Sequence, residues 1–210
     1  MKLEIFIASV ILLVMITLTI RRNEEWRSPI KLWAATVRES PMKIRPRINL
    51  ARAYQEAGRD DEALQEYRNA LILSNQPMTT QSDRTLVHQM AAMNAGQLLI
   101  KRNQLDDAEQ LMVSAWNEDP GFPGIAANLS VIYMIRGQKD MARKLIEFGI
   151  ENLPQYPWFA YGGNLYLLRG QLHEGDGDCA LANQDYEMAA QMDADIALVR
   201  CAAHKETVQP

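Results

Sequence analysis

Histidine and cysteine are scarce in this chain, with three histidines and two cysteines among 210 residues. His88, His173 and His204 are widely spread, and there is no G-x-S-x-G, no H-E-x-x-H and no phosphate-binding glycine loop. The usual signatures of nucleophilic, zinc-dependent and nucleotide-dependent catalysis are therefore missing. His173-Glu174 begins like a zinc-peptidase motif but ends in Gly177, and Gly162-Gly163 follows no predicted strand. Cys179 and Cys201 make no C-x-x-C pair and no zinc spacing. No basic run extends beyond Arg21-Arg22 and the formal net charge is −4. That excludes a strong nucleic-acid footprint, because phosphate binding needs clustered Lys and Arg. We expect no enzyme, no cofactor and no bound metal.

An uninterrupted apolar segment is present instead. Ile5 to Ile20 (IFIASVILLVMITLTI) carries no charge. A helix of that length spans roughly 24 Å, a little less than the ~30 Å hydrocarbon core of a bilayer. Leu3 extends it, Arg21 and Arg22 can snorkel to the interface, and Trp26 is placed for the headgroup belt. No A-x-A-like site follows the run, so we expect an uncleaved transmembrane anchor over residues 1–22 rather than a signal peptide. Arg21, Arg22, Arg27 and Lys31 follow the segment while only Lys2 and the amino terminus precede it. The positive-inside rule, taken alone, leaves the rest of the chain in the cytoplasm.

The remainder repeats itself every thirty-four residues: Asn94 maps to Asn128, Gly96 to Ser130, Ala108 to Ala142, Ala115 to Gly149 and Pro120 to Pro154. A period of this size means stacked helical hairpins, whose concave wall commonly binds another polypeptide. In the first unit Leu50, Ala51 and Tyr54 face inward on helix A, Gly58 ends it, and Ala63, Tyr67 and Ala70 line helix B. The second uses Gly96, Leu99, Ala108, Met112, Ala115 and Pro120. The third uses Leu129, Ser130, Tyr133, Gly137, Ala142, Ile146, Gly149 and Pro154. In a fourth, Gly163, Tyr166 and Gly170 fit helix A, and Ala182, Tyr186 and Ala189 fit helix B, with about seven extra residues between them around LHEGDGD. About eleven extra residues around MTTQSDRTLVH separate the first and second units, as a longer helix or a loop. SPIKLWAATVRESP reads as a lone helix B with Trp33 inward, and IALVRCAAHK as a final capping helix.

NLARAYQEAGRDDEALQEYRNAL and its successors resemble the tetratricopeptide repeat (TPR). The resemblance implies an all-α, right-handed TPR superhelix of about four hairpins, with a half-repeat, a capping helix and the amino-terminal membrane helix. The expected boundaries are 1–22 for the anchor, 23–43 for the junction and half-repeat, 44–195 for the TPR domain and 196–210 for the capping helix and tail. The junction RNEEW (Arg22 to Trp26), with Pro29, Leu32-Trp33, Val37, Ser40-Pro41 and Arg45, is similar to the join between membrane helix and repeats in O-mannosyltransferase-like proteins with TPR tails. Such transferases have many further membrane helices and acidic catalytic loops, which this chain lacks, so transferase activity is not implied. In those proteins the repeats lie outside the cytoplasm. The resemblance therefore implies a single-pass protein of a bacterial-type inner membrane with periplasmic repeats, against the cytoplasmic reading from the arginines.

Asn49, Asn94 and Asn128 recur just before the Leu or Ala of each helix A, and Asn164 lies one turn beyond the break at Tyr161. They resemble the asparagine ladder of the TPR part of O-linked N-acetylglucosamine transferase, where side-chain amides grip the backbone of an extended peptide. Each amide offers a donor and an acceptor, and the alternative use is a bond between neighbouring helices. Arg45, Arg52, Met90, Met93, Gln97, Val131 and Met134 are further groove candidates, methionine suiting a surface that adapts to varied apolar side chains. The Lys and Asn pattern that grips chaperone carboxyl termini is not reproduced. His173, Glu174, Asp176, Asp178 and Cys179 could ligate a metal, or form a solvated turn in which Asp178 caps the next helix. Cys179 and Cys201 either bridge the last unit to the capping helix or stay two small buried side chains. The expected function is a membrane-anchored scaffold or adaptor that binds a segment of a protein partner in an envelope complex. The alternatives are a chaperone for exported proteins or an accessory subunit of a membrane glycosyltransferase.

Overall fold

The computed structural model describes residues 2–77, 79–118, 120–157, 159, 161–192 and 201. Regular structure among them is entirely helical, without strands. The chain divides into two compact units, Met1–Val87 and His88–Pro210.

The first unit opens with α1 (Lys2–Trp26), which over Ile5–Glu24 is long and apolar enough to cross a membrane and has none of that window buried. Ser9, Thr17 and Thr19 each donate to the carbonyl four residues back at 2.8 Å, which hides hydroxyls that hydrocarbon would leave unsatisfied. α2 (Pro29–Glu39) starts on a proline, whose missing N–H costs nothing in the first turn. Arg22 of α1 lies 3.6 Å from Glu39 of α2. Were the two helices one straight rod, these residues would stand ~25 Å apart, beyond the reach of their side chains. α2 therefore turns back beside the end of α1. It packs on α3 (Ile44–Glu56) as the half-repeat expected, with Ala35 buried and Trp33 only half-buried. α3 and α4 (Asp60–Ser74) form the first hairpin, and α5 (Gln81–Val87) packs on both.

The second unit begins with a π-helix, His88–Ala92, followed by α6 (Met93–Lys101) and α7 (Leu105–Glu118). α8 (Pro123–Ile135) pairs with α9 (Lys139–Asn152), and α10 (Gly163–Gly175) with α11 (Cys179–Met192). Of the excess between the first two repeats, Gln81–Val87 is helical, as α5. A π-helix is the usual way to fit extra residues into a helical run.

One rule recurs in every hairpin. A small residue on helix A, Ala51, Gly96, Ser130 or Gly170, precedes by sixteen a large one on helix B, namely Tyr67, Met112, Ile146 or Tyr186. The large members are at most 1% exposed, because two helices approach closely only where one side chain is small. Seven residues after each small one, a left-handed residue turns the chain: Gly58 (φ 72°), Asn103 (φ 58°), Gly137 (φ 72°) and Gly177 (φ 84°). Glycine takes this conformation freely, and Asn is among the few others that tolerate it. Acidic residues then open α4 (Asp60, Asp61, Glu62) and α7 (Asp106, Asp107), where the helix dipole favours them.

This register corrects the sequence reading of the fourth hairpin. Gly170, not Gly163, is its small residue: a Cβ there would stand 2.5 and 2.7 Å from the Tyr186 ring. Gly163 merely opens α10. No residues are inserted between α10 and α11. The excess falls before α10, in the 3₁₀ turn Leu153–Gln155 and the segment after it. The expected capping helix IALVRCAAHK lies outside the described residues except for Cys201.

Candidate peptide-binding face

α6, α8 and α10 are the A helices of the second unit, and α8 contacts both of the others. Two positions before the small residue stand Asn94 on α6, Asn128 on α8 and Leu168 on α10; Asn49 holds that place on α3 of the first unit. Leu168, not Tyr161, is where the asparagine series stops. Asn164 belongs to a different row, equivalent to Arg45 on α3 and Met90 in the π-helix. One position after the small residue come Arg52, Gln97, Val131 and Gln171.

Exposure separates these residues. Gln97, Gln171, Arg45 and Arg52 are exposed; Asn49, Met90, Asn94, Val131, Met134 and Asn164 are half-buried. Arg52 stands 3.9 Å from Glu56 on its own helix. Asn128 and Met93 are 7% and 6% exposed, and the Asn128 Nδ2 donates to the Met93 carbonyl at 3.0 Å. That is the bond between neighbouring helices. Met134 and Leu168 lean on the cluster of Ala127, Ala142, Ile146, Leu165 and Leu172. The accessible part of the α6–α8–α10 face is accordingly amide and apolar, and none of its candidate residues carries a formal charge.

Charges are used in the seams. Between α7 and α8, Glu109 accepts from Arg136 and from the Tyr133 hydroxyl, and Asp106 also pairs with Arg136. The Arg136 guanidinium first, and the Tyr133 hydroxyl second, hold the Glu109 carboxyl below its ordinary range. Burial, then Glu109, pushes the Tyr133 hydroxyl up. A carboxyl with a depressed pKa stabilises the fold above its unfolded value of about 4.3, and that stabilisation is lost as pH falls through the folded value. Glu109→Gln should therefore lower the melting temperature near neutral pH and converge with the parent protein as pH drops below the carboxylate range. Melts followed by circular dichroism across pH check this. A gap that persists at the acid end would mean that Glu109 acts through packing.

Among the described residues of the acidic segment, each has another partner. His173 lies 3.8 Å from Asp185, which takes a bidentate contact from Arg169. Glu174 accepts from the Tyr186 hydroxyl at 2.6 Å; burial first, and Glu174 second, raise that hydroxyl far above its ordinary pKa. Asp176 pairs with Lys139 and Arg143. Asp178 accepts the Leu181 N–H at 3.1 Å, which is the helix cap read from sequence. Cys179 is joined to Cys201 with a Cα–Cα distance of 5.3 Å. Asn183 seals this junction, its Oδ1 accepting the Cys201 N–H at 2.8 Å and its Nδ2 donating to the Cys201 carbonyl at 3.4 Å.

Sequence reasoning missed the aromatic group beside α8. Phe122 packs edge-on against Tyr156 (5.5 Å) and Phe159 (5.2 Å), and Phe159 against Tyr161 (6.0 Å). Its signal was the aromatic run QYPWFAY in the extra residues before α10. Ile135, 54% exposed at the end of α8, was missed as well.

No family model matches the sequence, and no curated protein does. Solved structures do match in shape. A chain of the APC/C hetero-tetramer Cut9-Hcn1 superposes with a TM-score of 0.64 at 11% identity over 79% of this chain, which spans 30% of that longer one. TTC0263, a TPR protein of Thermus thermophilus, gives 0.58 at 14% identity, covering 86% of this chain and 90% of its own. MamA gives 0.56 at 15% identity, with 82% and 91% covered. The fold is therefore that of TPR proteins, an all-α solenoid architecture used for protein interaction. These comparisons do not show the O-mannosyltransferase resemblance.

Proposed function

We propose that this chain is a membrane-anchored adaptor. α1 crosses a bacterial-type inner membrane once, and the helix A faces grip an extended, largely uncharged segment of a partner protein. The observation that carries this reading is the register of amide and apolar residues on α6, α8 and α10. Gln97 and Val131 share one register position, Met90 and Asn164 another, and Asn94 holds that of Asn128; these residues and Met134 on α8, Asn128 apart, are all at least partly accessible. Amides can pair with a peptide backbone whatever its side chains, and methionines adapt to varied apolar groups. On α3 of the first unit, Asn49, Arg45 and Arg52 hold the corresponding sequence positions. Asn128 and Met93 support it from beneath. The solved neighbour Cut9-Hcn1 is itself a multi-chain assembly, which favours protein partners. Anchoring confines the groove to the bilayer, so a modest intrinsic affinity suffices.

The Cys179–Cys201 pair favours periplasmic repeats, since disulfides persist in oxidising compartments. In intact cells both thiols should resist alkylation until reductant is added; ready alkylation without it would favour the cytoplasm. The functional test is crosslinking in native membranes followed by mass spectrometry, with Asn94→Ala/Gln97→Ala beside the parent chain. One dominant partner, lost in the variant, supports the adaptor. A broad set of exported proteins would replace it with a chaperone, and a multispan transferase would identify an accessory subunit. Asn128→Ala serves as the structural comparison: it removes the side-chain bond to the Met93 carbonyl and should cost about 0.5–1.5 kcal/mol of stability, read from thermal melts.

A further inference from the structure

We infer that the partner segment carries prolines at three-residue spacing and lies in the groove as a polyproline II helix, with one proline ring seated on Phe159 and Tyr161. This deepens the peptide-groove reading and rests on it. The observation that carries it is a gap in one row of the face. Six positions before the small residue of each hairpin in the second unit stand Met90, Gly124 and Asn164. Met90 and Asn164 are half-buried side chains, whereas α8 has a buried glycine there. A Cβ at Gly124 would stand 2.5 Å from the Met93 sulfur, 2.9 Å from the Phe122 ring and 3.1 Å from the Phe159 ring. Phe159 therefore takes the room that a side chain of α8 would need. It comes from the extra residues before α10, and it stays half-buried. Fully buried Phe122 backs it at 5.2 Å, and Tyr161, 54% exposed, packs edge-on beside it at 6.0 Å. The Asn164 N–H donates to the Tyr161 carbonyl at 3.2 Å, which ties this aromatic seat to the row.

Pitch and surface chemistry both select proline. Polyproline II has three residues per turn and a rise of ~3.1 Å, so it repeats every ~9.3 Å. Packed helices lie ~8–10 Å apart, and α8 packs on both α6 and α10. Every third residue of such a segment meets the next A helix at the same place, where Gln97, Val131 and Gln171 share one position. An extended strand repeats every ~6.8 Å and falls out of step with the helices. The charge also matches. The candidate residues on α6, α8 and α10 carry no formal charge, so an uncharged segment leaves no buried ion unpaired. Proline lacks an N–H, and the carbonyls that remain need donors, which the Asn94, Gln97 and Gln171 amides supply. Aromatic-lined grooves take polyproline II segments because the helix is preformed and loses little entropy on docking.

The test uses the full chain in detergent micelles and the fluorescence anisotropy of three labelled, uncharged peptides of about twelve residues, roughly four turns of polyproline II. One has proline at every third position among alanine and glutamine. In the other two, alanine or leucine takes the proline positions. The proline peptide should bind at least about tenfold more tightly than either, and Tyr161→Ala and Phe159→Ala should each weaken it by about tenfold, as for an aromatic anchor. Tyr161→Phe keeps the ring and should keep the binding. Tyr161 is exposed, so its variants retain the fold even where Phe159→Ala loosens the seat, and circular dichroism verifies it. Equal binding of the three peptides, or tighter binding of the leucine one, that is still lowered by Asn94→Ala/Gln97→Ala would leave the groove standing and overturn the proline seat. Proline binding unchanged in both Tyr161→Ala and Phe159→Ala would overturn it as well. Binding of none of the peptides would remove the groove reading itself, and the inference with it.

Discussion

Gly170→Ala should destabilise the second unit by about 1–3 kcal/mol, the range for overpacking a closed site. For a chain of this size that is a fall of roughly 2–4 °C in melting temperature per kcal/mol. The added methyl would stand 2.5 and 2.7 Å from the Tyr186 ring and 3.2 Å from the Ala182 carbonyl. The ring has nowhere to go, since Tyr186 is 1% exposed and its hydroxyl is bonded to Glu174. The α3–α4 hairpin holds Ala51 and Tyr67 at the equivalent places, both fully buried, so the fold can house this pair when its helices stand slightly further apart. The cost at Gly170 is that of prising α10 from α11 against the Arg169–Asp185 and Tyr186–Glu174 bonds. Gly175→Ala is the control. A Cβ there meets only the Lys139 ammonium, at 3.5 Å, and replacing a helical glycine should gain about 0.5–1 kcal/mol. Equal effects at the two glycines would mean that the register of the fourth hairpin is wrong.

Removing residues 1–22 should move the protein from the membrane fraction to the soluble fraction while leaving its helices intact. The eleven Leu, Ile, Phe and Val side chains of Ile5–Ile20 favour insertion by roughly 5 kcal/mol in total on translocon-derived scales. None of that window is buried by the rest of the chain. The ion pair lost with it, Arg22–Glu39, is half-exposed or more on both sides, a kind of contact typically contributing under about 1 kcal/mol. Carbonate extraction and the far-ultraviolet circular dichroism of the shortened chain are the measurements. A shortened chain that aggregates or loses helicity would show that α1 is part of the fold and not an anchor. Retention of the shortened chain in membranes would place a second attachment elsewhere in the first unit.

The sequence was most legible where a property belongs to contiguous residues. The apolar run from Ile5 to Ile20 can span a bilayer whatever surrounds it. The half-repeat α2, the positive-φ turn at Gly58 and the Asp178 cap likewise depend on neighbours within a few positions. The thirty-four-residue spacing was enough for the hairpin class, because a unit that cannot bury its apolar side alone must stack on the next. It failed in the fourth unit, where Gly163 and Gly170 are both small and only one faces the Tyr186 ring. Spacing cannot rank two glycines on one helix; contact across a hairpin can.

The candidate site divides in the same way. That asparagines recur on successive A helices is a fact of the sequence, and so are the shared positions of Gln97 and Val131 and of Met90 and Asn164. Whether an amide meets solvent or a neighbouring carbonyl depends on a partner thirty-five residues away, as with Asn128 and Met93. The pairing of Cys179 with Cys201 is set by a Cα separation of 5.3 Å across a gap of 22 residues, and the aromatic packing of Phe122 on Phe159 by a loop folding back on α8. The chain's order alone was sufficient for a helix apolar and long enough to cross a bilayer, followed by stacked helical hairpins, since both follow from local composition and period. The fate of each polar side chain required the packed molecule, because burial and hydrogen bonding are settled between segments distant in sequence.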